Sequence, residues 1–358
     1  MKRKIFNYLM ITTVLFSLIV TSFAGTRKVK KIVSQTNQPT DQLVAKLPAS
    51  DVAARIDLQR LMNVALPQIL NAKPQMLTGI NAKIDEIKSQ TGIDLRQFDE
   101  LAVGAAYSQT ASKNFDLQPV ALASGKYEMN ALLTVMKLAA KDKFREERVG
   151  AKTIYIFSPR EIVPNKNPQN AGSSIILPGL GMIINLDKIF AGEMAVAALD
   201  AHTLAFGNLA RVRQTLENKP RLGQDILALV NRNPNAVISF GANMPPDFAR
   251  FLNMTETDEI GKNINSIRQM YGALDADGGS AQISVTAKTA NAKQAEDLES
   301  TVAGLQTLGK SVLGGMRGSD KAVYARMAEN ARITRAGSEV MLNLQVPQSD
   351  IDVLLGKK

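Results

Sequence analysis

The stretch EMAVAALDAHTLAFGN, residues 193–208, places two short apolar runs on either side of Asp200 and Ala201. Each run has the length of one strand, and the residues between them are typical of a tight turn. The pattern predicts a β-hairpin, which joins antiparallel neighbours in a sheet. Because Leu209, Val212 and Leu216 follow at helical spacing, a helix is expected directly after the hairpin.

Other segments of strand length occur along the chain. The predicted strands are Val52–Leu58, LAVGAAYS, QPVALASGKY, Thr153–Phe157, AQISVTAKT and EVMLNLQVP. Several of them alternate apolar and polar residues, so that one face of each strand is polar. A turn is expected at Gly150 and another at DADGG. Such strands favour antiparallel sheets that cover one face and expose the other.

Helices are predicted between these strands. Ile80, Ile84 and Ile87 form an apolar stripe that ends at Gly92, a residue suited to a helix C-terminus. The stretches MNALLTVMKLAA and NINSIRQMYGAL are also predicted to be helical, and a further helix is expected near residue 300. The fold class is therefore α+β, with mainly antiparallel sheets and helices packed on one face.

The chain is predicted to contain two related halves. Residues 45–228 form the first half, and residues 229–358 repeat its order of elements more loosely, starting at NPNAVISFGANMPPDFARFL. Similar order at this scale indicates a divergent internal duplication. The residue identities do not repeat.

The N-terminal residues predict export. Lys2, Arg3 and Lys4 precede an apolar run, and Ser22 and Ala24 occupy the small-residue positions of a cleavage site. Residues 1–24 are therefore expected to be a signal peptide, and residues 25–44 a polar linker. An uncleaved membrane anchor is the alternative, because the apolar run is near the lower length limit for a span and basic residues follow it closely.

The composition excludes several kinds of chemistry. The chain has no cysteine, which rules out disulfides, thiol nucleophiles, cysteine-ligated zinc and a lipidated cysteine at the cleavage site. The net charge is +10, but only 5% of the residues are aromatic and none is tryptophan. No basic stretch is interleaved with rings that could stack on bases, so nucleic acid is not an expected partner.

The stretch GLQTLGKSVLGG matches the phosphate-binding P-loop pattern at Gly304–Ser311. A P-loop must follow a strand directly, whereas the nearest predicted strand ends near Thr289, about fifteen residues earlier. A helical stripe also runs through the match, formed by Ala295, Leu298, Val302, Leu305, Leu308 and Val312. We expect a packed helix with Lys310 toward solvent, and nucleotide binding is not expected.

Two residues of the hairpin resemble parts of active sites. Asp200 ends an apolar strand, as a magnesium-binding aspartate does, but it precedes the P-loop match and lies at a turn, where aspartate is common. His202 is the only histidine, so sites that need two histidines are excluded. A serine hydrolase triad would require His202, yet the chain has neither a G-x-S-x-G elbow nor an S-x-x-K sequence.

Acidic residues give no recognisable constellation. The stretch from Asp275 begins like a calcium loop but has Gly279, Ser280 and Thr286 where an oxygen ligand, a glycine and a glutamate are needed. A tight turn entering a strand is expected there. The pairs Glu146 with Glu147 and Asp350 with Asp352 are expected on solvated faces.

The apolar stretch SSIILPGLGMIINLDKIF, residues 173–190, is the candidate contact surface. Pro178, Gly179 and Gly181 make it too broken to span a bilayer. As an exposed hairpin it would contact a membrane or a partner. A buried hairpin around PGLG is the alternative.

Four passages resemble large bacterial exported families of unknown function, of the DUF3352 kind. They are LPASDVAARIDLQRLM, KSQTGIDLRQFDELAVGAAYS, MAVAALDAHTLAFGNLARVRQTL and VPQSDIDVLL. The resemblance covers most of residues 45–355. It implies the fold and export, and it implies no catalytic residues.

The function expected from the sequence is that of an exported, non-enzymatic cell-envelope protein with a binding or structural role. No catalytic, cofactor-binding or metal-binding residue is assigned. A lipid, a peptide or an envelope protein could be the partner, through residues 173–190. The alternatives are an exported hydrolase whose site is assembled from distant carboxylates or a serine, and a membrane-tethered lipid- or peptide-binding module. A cleft of converging polar side chains would favour the hydrolase, and a closed apolar groove would favour lipid or peptide binding.

Overall fold

The computed structural model describes residues 42–91, 94–109, 115–139, 144–157, 174–177, 182–185, 193–217, 220–251, 254, 258–277, 279–314 and 319–356. The chain forms two compact units. The N-terminal unit combines Gln35–Asn63 with Gln75–Val230, and the C-terminal unit combines Val64–Pro74 with Asn231–Lys358. Each unit contains antiparallel strands and helices, so the α+β class is confirmed.

The strands and helices are numbered in chain order. The strands are β1 (Val52–Asp57), β2 (Phe98–Gln109), β3 (Phe115–Gly125), β4 (Phe144–Val149), β5 (Lys152–Phe157), β6 (Ser174–Leu177), β7 (Met182–Asn185), β8 (Met194–Asp200), β9 (Thr203–Gly207), β10 (Ile238–Asn243), β11 (Ile267–Asp277), β12 (Ser280–Thr289), β13 (Arg332–Ala336) and β14 (Glu339–Pro347). The α-helices are α1 (Leu58–Arg60), α2 (Leu66–Ile69), α3 (Pro74–Thr91), α4 (Met129–Ala139), α5 (Leu209–Leu216), α6 (Gln224–Val230), α7 (Phe248–Phe251), α8 (Glu259–Asn265), α9 (Ala292–Gly314), α10 (Ser319–Asn330) and α11 (Gln348–Leu354). Leu43–Lys46 and Leu95–Gln97 form 3-10 turns, and Leu61–Ala65 forms a π-helical turn.

The sheet of the N-terminal unit has the strand order β1, β2, β3, β9, β8, β5, β4. Its neighbouring strands are antiparallel. The predicted hairpin is confirmed: β8 pairs with β9 across a turn at Ala201 and His202, and α5 begins after Asn208. The Asn208 side chain accepts a hydrogen bond from the amide of Ala210, which caps this helix.

Both faces of this sheet are buried. One face packs against α5 and α6, with Val120, Leu122 and Ile154 in its core. The opposite face packs against α1 and α4, with Ala123 and Phe157 in its core. The expectation of helices on one face is therefore wrong for this unit. The reason lies in the central strands, whose consecutive residues are apolar and so must be covered on both sides.

The sheet of the C-terminal unit has the order β10, β11, β12, β14, β13, again antiparallel. Helix α9 packs on one face through Ala295 and Leu298, against Val340 of β14 and Met270 of β11. Ala287 of β12 packs against this core. Because residues of a strand alternate between faces, apolar residues of β12 share the face of Ala287 and polar residues occupy the other face. In this unit the prediction of helices against one apolar face agrees with the packing of α9.

The predicted helix at NINSIRQMYGAL is wrong. Helix α8 ends at Asn265, and strand β11 begins at Ile267. Apolar residues at 267, 270, 271 and 274 fit a helical spacing, but Met270 and Leu274 also share one face of a strand. Pairing with β10 on one side and β12 on the other decides in favour of the strand. Helix α10 and strand β13 were not predicted separately.

None of the described helices is both long enough and apolar enough to cross a membrane. The predicted signal segment, nearly all of the predicted linker and Gly92 lie outside the described residues.

Candidate functional site

A cavity of about 770 Å³ lies on the polar face of the C-terminal sheet. Its floor comes from alternate residues of β11, β12 and β14, which point to the same side of a sheet. The floor residues are Ala273, Asp275, Gln282, Ser284, Asn343 and Gln345. The volume falls within the range typical of small-molecule sites.

The strand register arranges the floor in two rows. In one row Asp275 lies opposite Gln282, which lies opposite Gln345. In the other row Ala273 lies opposite Ser284, which lies opposite Asn343. The second row continues to Ser239 of β10, which lies opposite Ala273 and has a buried hydroxyl without a hydrogen-bond partner among the described residues. The floor is thus a grid of amide, hydroxyl and carboxylate groups.

Three of the floor side chains make no hydrogen bond to another described residue. They are Gln282, Ser284 and Asn343, which are all partly exposed. Partly exposed groups of this kind bond to water, which a ligand can displace. The floor therefore offers donors and acceptors that the fold itself does not use.

One wall of the cavity comes from residues 232–236, between α6 and β10. Arg232 is fixed there: its guanidinium carbon lies 4.3 Å from the centre of the Tyr271 ring, and it donates a hydrogen bond to the Tyr271 hydroxyl. That hydroxyl donates to a carboxylate oxygen of Glu339 at 3.1 Å, and Arg232 lies 3.5 Å from the other oxygen. Burial, aided by the Glu339 charge, raises the pKa of Tyr271, although a hydrogen bond with Thr286 and the charge of Arg232 oppose the rise. The tyrosine therefore stays neutral at physiological pH.

The charges of the residues that line the cavity sum to zero. Arg232 and Arg332 are cationic, and Asp275 and Glu329 are anionic. Glu329 and Asn330, at the end of α10, form the rim beside Arg332. A site for a small ion normally concentrates one sign of charge. This cavity instead has a neutral sum over a floor made mostly of amides and hydroxyls.

The P-loop match lies inside a helix, as predicted. Gly304–Ser311 belongs to α9, whose residues 292–314 run through the pattern without a break. Leu298 and Leu305 are buried as expected, but Leu308 is exposed and Gly309 is buried instead. At 100° per residue, Leu308 lies roughly 90° from the centre of the buried face, whereas Gly309 lies on it. The expected burial of Leu308 is wrong for that reason.

Substitutions in this match distinguish a helix from a nucleotide loop. Gly304→Ala is expected to stabilise the protein by about 0.5 to 1 kcal/mol, because an added methyl meets no atom within 4 Å and alanine favours a helix interior. Lys310→Ala is expected to leave stability unchanged within about 0.5 kcal/mol. Urea unfolding measures both, and titration with ATP checks for binding. An ATP affinity in the wild type that Lys310→Ala abolishes would contradict the helical interpretation.

Asp200 and His202 lie in the hairpin and serve its structure. The Asp200 carboxylate accepts a hydrogen bond from the amide of His202 at 3.0 Å and pairs with Lys46 at 3.3 Å. Burial alone would raise the pKa of Asp200, but these bonds and one from Thr203 hold it below its usual value. The His202 ring is exposed, and its backbone carbonyl oxygen lies 3.2 Å from the Tyr127 hydroxyl oxygen. The arrangement is that of a turn.

The acidic residues have different surroundings. The predicted turn after Asp275 is a β-hairpin with Gly279 at φ 85°. Glu147 accepts two hydrogen bonds from Arg213, which hold the pKa of Glu147 below its usual value.

The expectation of a solvated face is wrong for Asp350. Its side chain is 7% exposed and accepts hydrogen bonds from the Arg326 guanidinium. Asp350 lies in the first turn of α11, where a carboxylate is favoured, and α10 brings the arginine to it. The spacing of residues in the sequence does not predict that Arg326 and Asp350 lie close together.

The candidate contact surface at residues 173–190 is described only in part. The backbones of β6 and β7 pair in antiparallel orientation. The side chains and the remaining residues of this stretch lie outside the described part, so the exposed hairpin and the buried alternative both stay predictions.

A second cavity, of about 440 Å³, lies in the N-terminal unit beside Arg211. Arg211 is 4% exposed and donates hydrogen bonds to the Ala49 carbonyl, the Ser50 hydroxyl and the Gln214 side chain. Burial lowers the pKa of Arg211, opposed by the charge of Asp51. These bonds fasten the segment before β1 to α5, so Arg211 has a structural role.

Metal binding has no support in the described residues, where no group of three or more His, Asp or Glu side chains is placed to hold an ion. The sequence pattern did not predict the cavity floor. Its signal was the alternation of Ser280, Gln282, Ser284 and Thr286 in β12, which indicates a polar face but does not reveal its neighbours.

Comparisons with known proteins give a distant likeness. No family model and no curated protein matches the chain. Crystal form III of TP0453 is 11% identical, with a TM-score of 0.44, and the match covers 87% of this chain and 96% of that one. Crystal form I of TP0453 is 10% identical, with a TM-score of 0.42, and the match covers 88% of this chain and 96% of that one. Crystal form IV is 11% identical, with a TM-score of 0.43, and the match covers 87% of this chain and 96% of that one. A likeness at this level does not establish a shared function.

Proposed function

We propose that this chain is an exported, non-enzymatic protein of the cell envelope with a binding role, and that the cavity on the C-terminal sheet is its binding site. The observation that carries the proposal is the polar floor, with Gln282, Ser284 and Asn343 free of partners among the described residues. The opposite face of the same sheet is covered by α9. A concave surface with fixed walls and unused hydrogen-bonding groups fits a ligand.

Export is supported by the sequence. The basic residues at positions 2–4, the apolar run and the small residues Ser22 and Ala24 form the pattern of a secretory signal. The absence of cysteine means that folding outside the cytoplasm rests on core packing. The resemblance to exported bacterial families of the DUF3352 kind supports the same proposal. Within this proposal, an uncleaved N-terminus that tethers the protein to the membrane is the alternative to a cleaved signal peptide.

An exported hydrolase is the second candidate. The cavity is polar and holds the carboxyl groups of Asp275 and Glu329, which is the kind of cleft that this alternative needs. Glycoside hydrolysis requires two carboxyl groups on opposite sides of the bond that is cut. The non-enzymatic proposal is preferred because most of the floor consists of amides and hydroxyls, which bind without supplying a proton.

A binding experiment tests the proposal. The purified protein is titrated by calorimetry with an N-acetylglucosamine tetramer, with phosphatidylethanolamine–phosphatidylglycerol vesicles and with a polar decapeptide. We expect at least one probe to bind, and the variant Gln282→Ala/Asn343→Ala to bind it at least 10-fold more weakly, because two hydrogen-bonding groups are removed. Gln75→Ala, an exposed amide on α3 outside the cavity, is the matched control and should bind as the wild type does.

Two results would contradict the proposal. If none of the probes binds, or if the double variant binds as well as the wild type, the cavity is not the binding site. Cleavage of a probe during incubation, lost in Asp275→Asn or Glu329→Gln, would support the hydrolase instead. Fractionation of the producing cells tests export, since the full-length chain should not remain in the cytoplasm.

A further inference from the structure

We infer that the ligand of the cavity is an uncharged, polyhydroxylated molecule of the saccharide class. This inference rests on the proposed binding function and adds the chemistry of the ligand. It follows from three properties of the site: the kind of hydrogen-bonding groups, their charge and their extent.

The hydrogen-bonding groups match hydroxyls. A carboxamide side chain presents a carbonyl acceptor and two N–H donors, and a serine hydroxyl both donates and accepts. Gln282, Ser284 and Asn343 therefore offer mixed donors and acceptors from neighbouring positions of β12 and β14. A sugar hydroxyl also donates and accepts, so each can pair with such a group. An ester or hydrocarbon surface would leave these groups unsatisfied, which costs binding free energy.

The charge of the site favours a neutral ligand. Arg232 and Arg332 are balanced by Asp275 and Glu329. Arg232 also contacts Tyr271 and Glu339, so the charged groups that line or adjoin the cavity are of mixed sign, with two positive and three negative. An anionic ligand would meet Asp275 on the floor, and a cationic ligand would meet the two arginines. Either sign of charge would therefore be opposed from one side.

The extent of the floor fits a short oligosaccharide. Its two rows cross three strands, which places the outer side chains roughly 10 Å apart across the sheet and about 7 Å apart along it. Arg232, which lines one wall, packs against the Tyr271 ring, and this contact holds the arginine in place beside the floor. Affinity would then come mainly from hydrogen bonds across the grid of amides.

The experiment compares three oligosaccharides of equal length. The N-acetylglucosamine tetramer is neutral, the glucosamine tetramer is cationic and the galacturonate tetramer is anionic. We expect the neutral tetramer to bind the full-length protein at least 10-fold more tightly than either charged one. Raising NaCl from 0.05 to 0.5 M should change its dissociation constant less than twofold, because no net charge is neutralised. Gln282→Ala/Asn343→Ala should weaken it at least 10-fold, and Gln75→Ala should not.

Each outcome decides between the two proposals. Tighter binding of a charged tetramer would overturn the inference of a neutral ligand. Binding of the vesicles or the decapeptide, with no tetramer bound and with the same loss in the double variant, would overturn the saccharide and leave the binding function standing. If no probe binds, both are wrong. The double variant should fold, since the two amides have no partners among the described residues, and its urea unfolding verifies this.

Discussion

Gly272→Ala is expected to destabilise the C-terminal unit by about 3 kcal/mol. Gly272 lies in the middle of β11, opposite Phe240 of β10 and Val285 of β12. A methyl group built on it would lie 2.2 Å from the backbone oxygen of Ser284 and 2.7 Å from the Phe240 ring. The oxygen belongs to a strand paired on both sides, so it cannot move without disturbing its neighbours. Overpacking of this kind costs typically 1 to 3 kcal/mol, and contact with backbone places it at the upper end.

Two opposed effects decide whether Gly272→Ala raises or lowers the stability of the C-terminal unit. Glycine weakens a strand by roughly 0.5 to 1 kcal/mol relative to alanine, so conformational preference alone would favour the substitution. The steric cost is several times larger and wins. Urea unfolding measures the difference, with Gly304→Ala as the matched control because its added methyl meets no atom within 4 Å. If both variants were more stable than the wild type, the close packing of β11 against β12 would be wrong.

The same packing bears on the candidate site. Ser284 is both a floor residue and the neighbour whose carbonyl approaches Gly272. A shift of β12 away from β11 would change the spacing of Gln282 and Ser284 relative to Asp275 and Ala273. The glycine on the covered face therefore helps to keep the two rows of the polar face in register.

Local patterns predicted much of the fold. The β8–β9 hairpin and the helix after it follow from two apolar runs, a turn and a stripe at helical spacing, all within 24 residues of sequence from Glu193 to Leu216. The unbroken stripe through Leu298 and Leu305 predicts a helix at the P-loop match, and α9 confirms it. In these cases the deciding interactions are between residues close in the chain.

Features that depend on distant residues were not predicted. Residues 267–274 satisfy helical and strand spacing alike, and only the pairing of β11 with β10 and β12 separates the two. The cavity floor joins Asp275 to Gln282 and then to Gln345, which is 63 residues further along the chain. The ion pair of Arg326 with Asp350 likewise joins residues that are distant in the sequence. The internal duplication stays a prediction.

Tyr127→Phe is expected to destabilise the N-terminal unit by about 2 kcal/mol at neutral pH. The Tyr127 hydroxyl accepts a hydrogen bond from the amide of Leu204 at 3.1 Å, and lies 2.7 Å from the Ala123 carbonyl, to which it donates. It thereby fastens the end of β3 to the start of β9. Phenylalanine keeps the ring contact with Phe98, whose centre is 4.8 Å away. The loss leaves a buried amide without its partner, which costs roughly 1 to 3 kcal/mol.

The difference between wild type and Tyr127→Phe should shrink at alkaline pH. Burial raises the pKa of Tyr127 above its ordinary value, opposed by the hydrogen bond from Leu204 and reinforced by the charge of Asp200. The unfolded chain therefore releases the phenolic proton first, at about pH 10, and this stabilises the unfolded state. The contribution of Tyr127 is complete below that pH and is lost at up to about 1.4 kcal/mol per pH unit as the pH rises toward the folded pKa. Phenylalanine has no such proton, so urea unfolding at pH 7, 10 and 11 should give a narrowing gap. A gap that stays constant or widens would mean that the hydroxyl is not buried in its neutral form.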